Sequence, residues 1–159
     1  MARQMARVLI GTSGWHYASW RGPFFPEGLP LKKQLPYYAG RFETTELNGV
    51  FYRTPTPEAV KAWRDQTGRD FVFAWKASKF ITQWKRLSER SENSLDLLES
   101  RISLLRGKVG PILFQLPPQF RADSRSAGVL LQASLQEAPL QFRISASELV
   151  SAARSPNAV

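Results

Sequence analysis

Thr12 and Ser13, Glu46 and Asn48, Lys76 and Gln115 are the polar residues of this chain whose types could do chemistry together. Each falls near the end of a short apolar run, or just after it. Glu46 and Asn48 are two apart, which in an extended strand puts both on one side. A carboxylate, an amide and an ammonium converging there would carry acid–base chemistry or hold an anionic substrate. Glu46 is then the acid or base, Lys76 the stabiliser of negative charge, and Asn48 and Gln115 orienting groups, with Thr12 and Ser13 beside them. A competing reading makes Glu46 and Lys76 a structural ion pair across neighbouring strands and gives Asn48 and Gln115 to loop backbone. Composition narrows the chemistry further. The 159 residues include no cysteine and a single histidine, His16, which excludes disulfides, thiolate nucleophiles and multi-histidine metal sites. Among the acids only Glu46 is well placed, so neither a metal nor a cofactor is expected.

Trp15, Tyr17, Trp20 and Tyr52 gather near the ends of the first two apolar runs. Packing in a core or lid is one expectation, and a stacking wall for a sugar or base is the other. Lys76, Lys79, Lys85 and Arg86 surround Trp84, a pattern that can bind phosphates and stack bases. Residues 1–42 hold Arg3, Arg7, Arg21, Lys32, Lys33 and Arg41 against one acid, Glu27. With 22 Lys+Arg and 13 Asp+Glu the formal charge is +9, which suits anionic partners. A phosphorylated or otherwise anionic small molecule is the first expectation and nucleic acid the alternative. His16 is expected in an exposed loop.

The elements that must position these groups alternate along the chain. Apolar runs at Arg7–Thr12, Thr45–Tyr52, Phe71–Ala77 and Gly110–Leu116 are strand-sized and bounded by Gly, Pro or polar clusters. Between them, Leu31, Leu35, Tyr38 and Phe42 recur at helical spacing, with Pro36 predicting a start or kink there. Thr56-Pro57-Glu58 predicts an N-cap, a proline at the first helical position and an acid in the first turn. That helix should carry Val60 and Trp63 inward and stop near Gly68. Ser91 or Ser94 should open a third helix with Leu95, Leu98, Ile102 and Leu105 as its apolar stripe, ended by Gly107. A fourth spans about 127–137. Strands alternating with helices predict an α/β fold with a parallel sheet. Either an open doubly wound sheet or part of a β/α barrel fits, the barrel slightly better. Gly11-Thr12-Ser13-Gly14-Trp15 is neither a dinucleotide fingerprint nor a P-loop.

Several segments, in order and spacing, resemble the YecE-like family, domain of unknown function 72. They are Ile10-Gly11-Thr12-Ser13-Gly14-Trp15 with Tyr17, Trp20 and Phe25-Pro26; Glu46-Leu47-Asn48 with Phe51-Tyr52-Arg53; Trp63; Phe73 to Lys76; Ile81-Thr82 with Leu87; and Pro111 to Pro118. The resemblance covers about residues 7–121 and implies a TIM-type β/α barrel, with little implied chemistry. Gln83 stands where the family usually has a histidine, and His16 where a small polar residue is usual. The family continues beyond Gln141-Phe142-Arg143 in a way that Ile144 to Val159 does not follow.

A complete barrel of this type needs ~250 residues. The expected fold is therefore a parallel β/α TIM-barrel-like arrangement of only the first four to five βα units, a partial barrel over residues 1–143. Residues 144–159 are read as a divergent, disordered tail of a truncated or frameshifted copy, and an inactive fragment is then a further alternative for the function. Open sheet edges then predict self-association or a missing second half. No run approaches the ~20 apolar residues of a membrane helix and no signal peptide is evident, so a cytoplasmic protein without a membrane partner is expected.

Overall fold

Thr56 turns the chain into a helix in the manner its sequence predicts. Its hydroxyl accepts from the Ala59 amide at 3.2 Å, Pro57 occupies the first turn and Glu58 follows. This is one of eight regular elements in a computed structural model that describes residues 8–120 and the backbone of Phe142–Arg143. In chain order they are β1 (Gly11–Ser13), α1 (Leu31–Ala39), β2 (Thr44–Leu47), α2 (Pro57–Asp65), β3 (Val72–Lys76), α3 (Glu92–Ile102), β4 (Val109–Leu113) and β5 (Phe142–Arg143). The helix expected near 127–137, the segment 144–159, and Arg3 and Arg7 lie outside the described residues.

All strand pairs are parallel and the sheet order is β1-β2-β3-β4-β5. Each strand lies beside its sequence neighbour. A doubly wound sheet reverses its order at a switch point, and no reversal occurs here. Register decides which side chains share a face, because residues paired across parallel strands point the same way. One face carries Thr12, Thr45 and Phe73, then Leu47, Trp75 and Ile112. Apart from Thr12, which is half-buried, all of these are buried, together with Leu35 and Tyr38 of α1, Val60 of α2 and Ile102 of α3. The opposite face carries Ser13, Glu46 and Ala74, then Lys76 and Leu113, all half-buried or exposed. Parallel sheets are ordinarily covered on both faces. Among the described residues no helix covers the second face.

Close approach of β1 to β2 and of β4 to β3 depends on glycine. A Cβ at Gly11 would lie 2.0 Å from the Thr44 carbonyl oxygen, and one at Gly110 would lie 2.5 Å from Val72 Cγ1. Tyr38 ties α1 to both first strands. Its buried hydroxyl accepts from the Thr12 amide at 2.9 Å and donates to the Thr44 carbonyl at 3.0 Å.

Several boundaries correct the expectations. α1 starts at Leu31, not at Pro36, which lies inside the helix. Pro36 forfeits only its own amide bond, while burial of Leu35 and Tyr38 on either side holds the turn. Leu31 itself is exposed, off the buried stripe. β2 ends at Leu47, short of Tyr52, because Asn48 adopts helical dihedrals and Gly49–Phe51 forms a 3-10 turn. β1 begins only at Gly11, leaving Val8 and Ile10 outside it and exposed. α2 stops at Asp65 before Gly68, where Lys108 donates to the carbonyls of Arg64 and Thr67 and so caps the carboxyl end. α3 ends at Ile102 and runs into 3-10 turns over Ser103–Lys108 that are broken at Arg106, one residue before Gly107, where φ is 54°. Ser91 precedes α3, yet its buried hydroxyl caps nothing and has no hydrogen-bond partner.

Candidate functional site

The carboxyl ends of β1, β2 and β3 bring four of the sequence-selected side chains together in two pairs. Ser13 Oγ donates to Glu46 Oε1 at 2.8 Å, a contact set by the register Ser13↔Glu46. Lys76 Nζ donates to Asn48 Oδ1 at 3.2 Å and lies 4.9 Å from the centre of the Phe51 ring. Glu46 is in register with Ala74, one step before Lys76 on the same face. The structural ion pair between Glu46 and Lys76 is therefore not what forms: each takes a neutral hydrogen-bonding partner. Both pairs lie on the open face of the sheet. In chemical type a carboxylate can accept or donate a proton and an ammonium can hold an anion.

The remaining selected residues lie elsewhere. Thr12 belongs to the helix-covered face, where its hydroxyl donates to the Gly14 carbonyl at 2.7 Å and lies 2.9 Å from the Tyr38 hydroxyl. Trp15 is 5% exposed and packs edge-on against Trp63 with ring centres 6.0 Å apart, so it is core. Tyr17 is exposed, donates to the Ser13 carbonyl and packs on Trp20 at 4.7 Å. Trp20 in turn joins Phe24, Phe25 and Tyr38 of α1 in an aromatic cluster. Gln115 is exposed beyond β4. Tyr52 and Lys79 sit together, the ammonium 5.3 Å from the ring centre, in a separate groove against α3. His16 is exposed, as expected, and its Nδ1 lies 2.9 Å from Oε1 of the buried Gln34.

Sequence reasoning misses two participants. Phe51 under Lys76 reads in sequence as an apolar strand residue, and the 3-10 turn that presents it is not a periodic signal. Arg101, which lines the groove with Tyr52 and Lys79, sits at the end of α3 and shows in sequence only as a basic residue in a last turn. Among the described residues no cluster of three His, Cys, Asp or Glu could hold a metal ion. None of their helices is long and apolar enough to cross a membrane.

A parallel α/β sheet wound in chain order, with polar groups at the carboxyl ends of successive strands, defines the class of this protein. Its family follows from comparison: residues 9–148 match the family described as protein of unknown function DUF72, and the chain belongs to it. It is similar to the UPF0759 protein YecE of Escherichia coli strain K12, with 31% identity over 113 residues, which is 71% of this chain and 39% of that protein. The chain thus spans about two-fifths of the curated relatives it matches. Among solved structures, a DUF72 family protein from Thermotoga maritima superimposes with a TM-score of 0.61 at 27% identity, over 86% of this chain and 55% of the other. One from Enterococcus faecalis gives 0.59 at 20% identity, over 70% and 47%.

Proposed function

We propose that the carboxyl ends of β1, β2 and β3 form a binding site for a small phosphorylated or otherwise anionic molecule. Lys76 is its anchor, Glu46 its acid or base, and Asn48 the group that aims Lys76. One observation carries this reading: Lys76 bonds to Asn48 and Glu46 to Ser13, in place of an ion pair with each other. A closed ion pair would satisfy both charges internally, whereas neutral partners orient them and leave their charge for a substrate. Gln115, exposed past the end of β4, has no part in this assignment.

The finer architecture supported by the strand order is a partial β/α barrel. Sequential parallel strands with helices over one face are the pattern of barrel units, and the open face is then the lumen side. In such folds the reacting groups stand at the carboxyl ends of strands, which is where Ser13, Glu46, Asn48 and Lys76 are found.

Titrating the full chain with inorganic phosphate and following backbone amide shifts tests the assignment. Lys76→Ala should weaken phosphate binding about tenfold, the loss of one charge-assisted bond. Glu46→Gln should strengthen it, because a like charge beside the anion is removed. Unchanged phosphate affinity in Lys76→Ala refutes the site.

A further inference from the structure

The loops after β2 and β3 meet α3 in a groove of about 300 Å³, a volume at the small end of the range for ligand sites. Tyr52, Lys79, Phe80, Trp84, Leu97 and Arg101 supply its chemistry. None of Ser13, Glu46, Asn48 or Lys76 lines it, so the groove is independent of the strand-end site.

Its aromatic walls face solvent. Trp84 and Tyr52 are each 66% exposed, and Phe80 and Leu97 41%, while Trp15 and Trp75 are buried. Exposed apolar side chains gathered around one concavity mark a contact surface, whereas scattered ones do not. Charge in the groove has one sign. Lys79 Nζ lies 5.3 Å from the Tyr52 ring centre and 5.4 Å from that of Trp84, a cation between two rings. Arg101, held by its Nε–H on the Pro55 carbonyl at 3.0 Å and by Nη1 on Ser100 Oγ at 3.2 Å, adds a second positive charge. No Asp or Glu is among the described lining residues.

The backbone here is also unusual. Phe80–Trp84 is a π-helical turn, closed by the Lys85 amide on the Phe80 carbonyl at 2.9 Å. Arg86 and Leu87 follow at φ 51° and 52°, a conformation side chains rarely adopt. Such turns recur at functional sites because the strain presents side chains that a regular helix would not. Lys85 and Arg86 hold this turn in place, Lys85 by donating to the Arg90 carbonyl and Ser94 Oγ, and Arg86 by donating to the Gln119 carbonyl at 3.0 Å. Of the basic residues around Trp84, Lys79 is the one left facing the groove without an ion-pair partner among the described residues.

The geometry points to a site for a single nucleotide, its base stacked on Trp84 and Tyr52 and its phosphate on Lys79 and Arg101. A flat π-system is what two exposed rings take up, and an anion is what the two cations need beside them. The volume holds one such unit. On binding, the base displaces the Lys79 ammonium from the ring faces and the phosphate receives it.

Calorimetric titration of the full chain with AMP, with tryptophan emission followed in parallel, tests this. Saturable one-to-one binding with quenching is expected. Trp84→Ala should weaken AMP binding about tenfold and remove most of the quenching. Lys79→Gln should weaken AMP about fivefold yet leave adenosine binding no weaker, while Lys32→Gln, which removes the same charge on α1, should alter neither. Trp84 is solvent-facing and Lys79 half-buried, and circular dichroism checks that both variants fold. No binding at millimolar AMP overturns the inference. So does AMP binding that survives Trp84→Ala but is lost in Lys76→Ala, which would move the nucleotide to the strand-end site. A short single-stranded oligonucleotide binding about a hundredfold more tightly than AMP, with a steep salt dependence, also overturns it in favour of a polymer.

Discussion

Thr56 and Ser91 show how one sequence signal has two outcomes. Both are hydroxyl residues placed before a helix, and both read as N-caps. Thr56 caps, with Oγ1 on the Ala59 amide. Ser91 is the last residue of a 3-10 turn at Glu89–Ser91 and already has helical dihedrals, which turn its hydroxyl away from the amides of the first turn of α3. It is buried without a partner. Thr56→Ala should therefore destabilise the fold by about 1 kcal/mol. Ser91→Ala should leave stability unchanged or raise it by up to about 1 kcal/mol, since an unpaired buried hydroxyl is removed. Urea unfolding of the two variants separates these outcomes, and equal losses would contradict the capping assignment. The same contrast applies to Trp15 and Tyr52. Both are aromatic residues just after a strand, and only depth divides them, one in the core and the other on a groove wall.

At the scale of elements, α2 carries its own pH dependence. Hydrogen bonds from its own backbone amide and from Thr56 hold the Glu58 carboxyl below its usual 4.5. The Arg64 side chain holds Asp65 below its usual 3.8. Depressed folded-state values mean that the unfolded chain takes up protons first as pH falls. The stability both groups contribute is thus fully present above the usual carboxylate values, and is lost as pH drops through the lowered ones. The thermal midpoint should decline below about pH 4.5, and the decline should be shallower in Glu58→Gln. A Glu58→Gln profile superimposable on that of the parent would exclude Glu58 as a contributor. The ends of elements were the least legible part of the sequence. Apolar character runs on through Val50, Phe51 and Tyr52, but one change of ψ at Asn48 ends β2 and turns Lys76 and Phe51 toward each other.

At the scale of the whole molecule, the open sheet face is the dominant feature. Among the described residues β1 is an edge strand, Val8 and Ile10 beside it are 78% and 73% exposed, and no helix covers the face bearing Glu46 and Lys76. Parallel sheets exposed in this way seek a second layer. A second copy of the chain is expected to supply it. Light scattering after size exclusion should then give a mass above the 18.0 kDa of one chain. A monomer at all concentrations would count against that pairing. The +9 charge is less concentrated than its arithmetic suggests. Arg41 stacks on Tyr37 at 3.4 Å and Lys108 caps α2, so both serve the fold.

By itself the sequence determined the order of strands and helices, the caps with strong local chemistry, the family, and the candidate residues Glu46, Asn48, Lys76, Tyr52 and Lys79. These follow from periodicity, capping and short motifs, which act between residues close in the chain. The tertiary structure alone decided how those candidates divide. Register between parallel strands, a non-local property, gave Ser13 to Glu46 and kept Glu46 apart from Lys76. The packing of two loops against α3 set Tyr52, Lys79 and Trp84 around a different cavity. Spacing along the chain carries no information about either, because both depend on which segments the sheet places side by side.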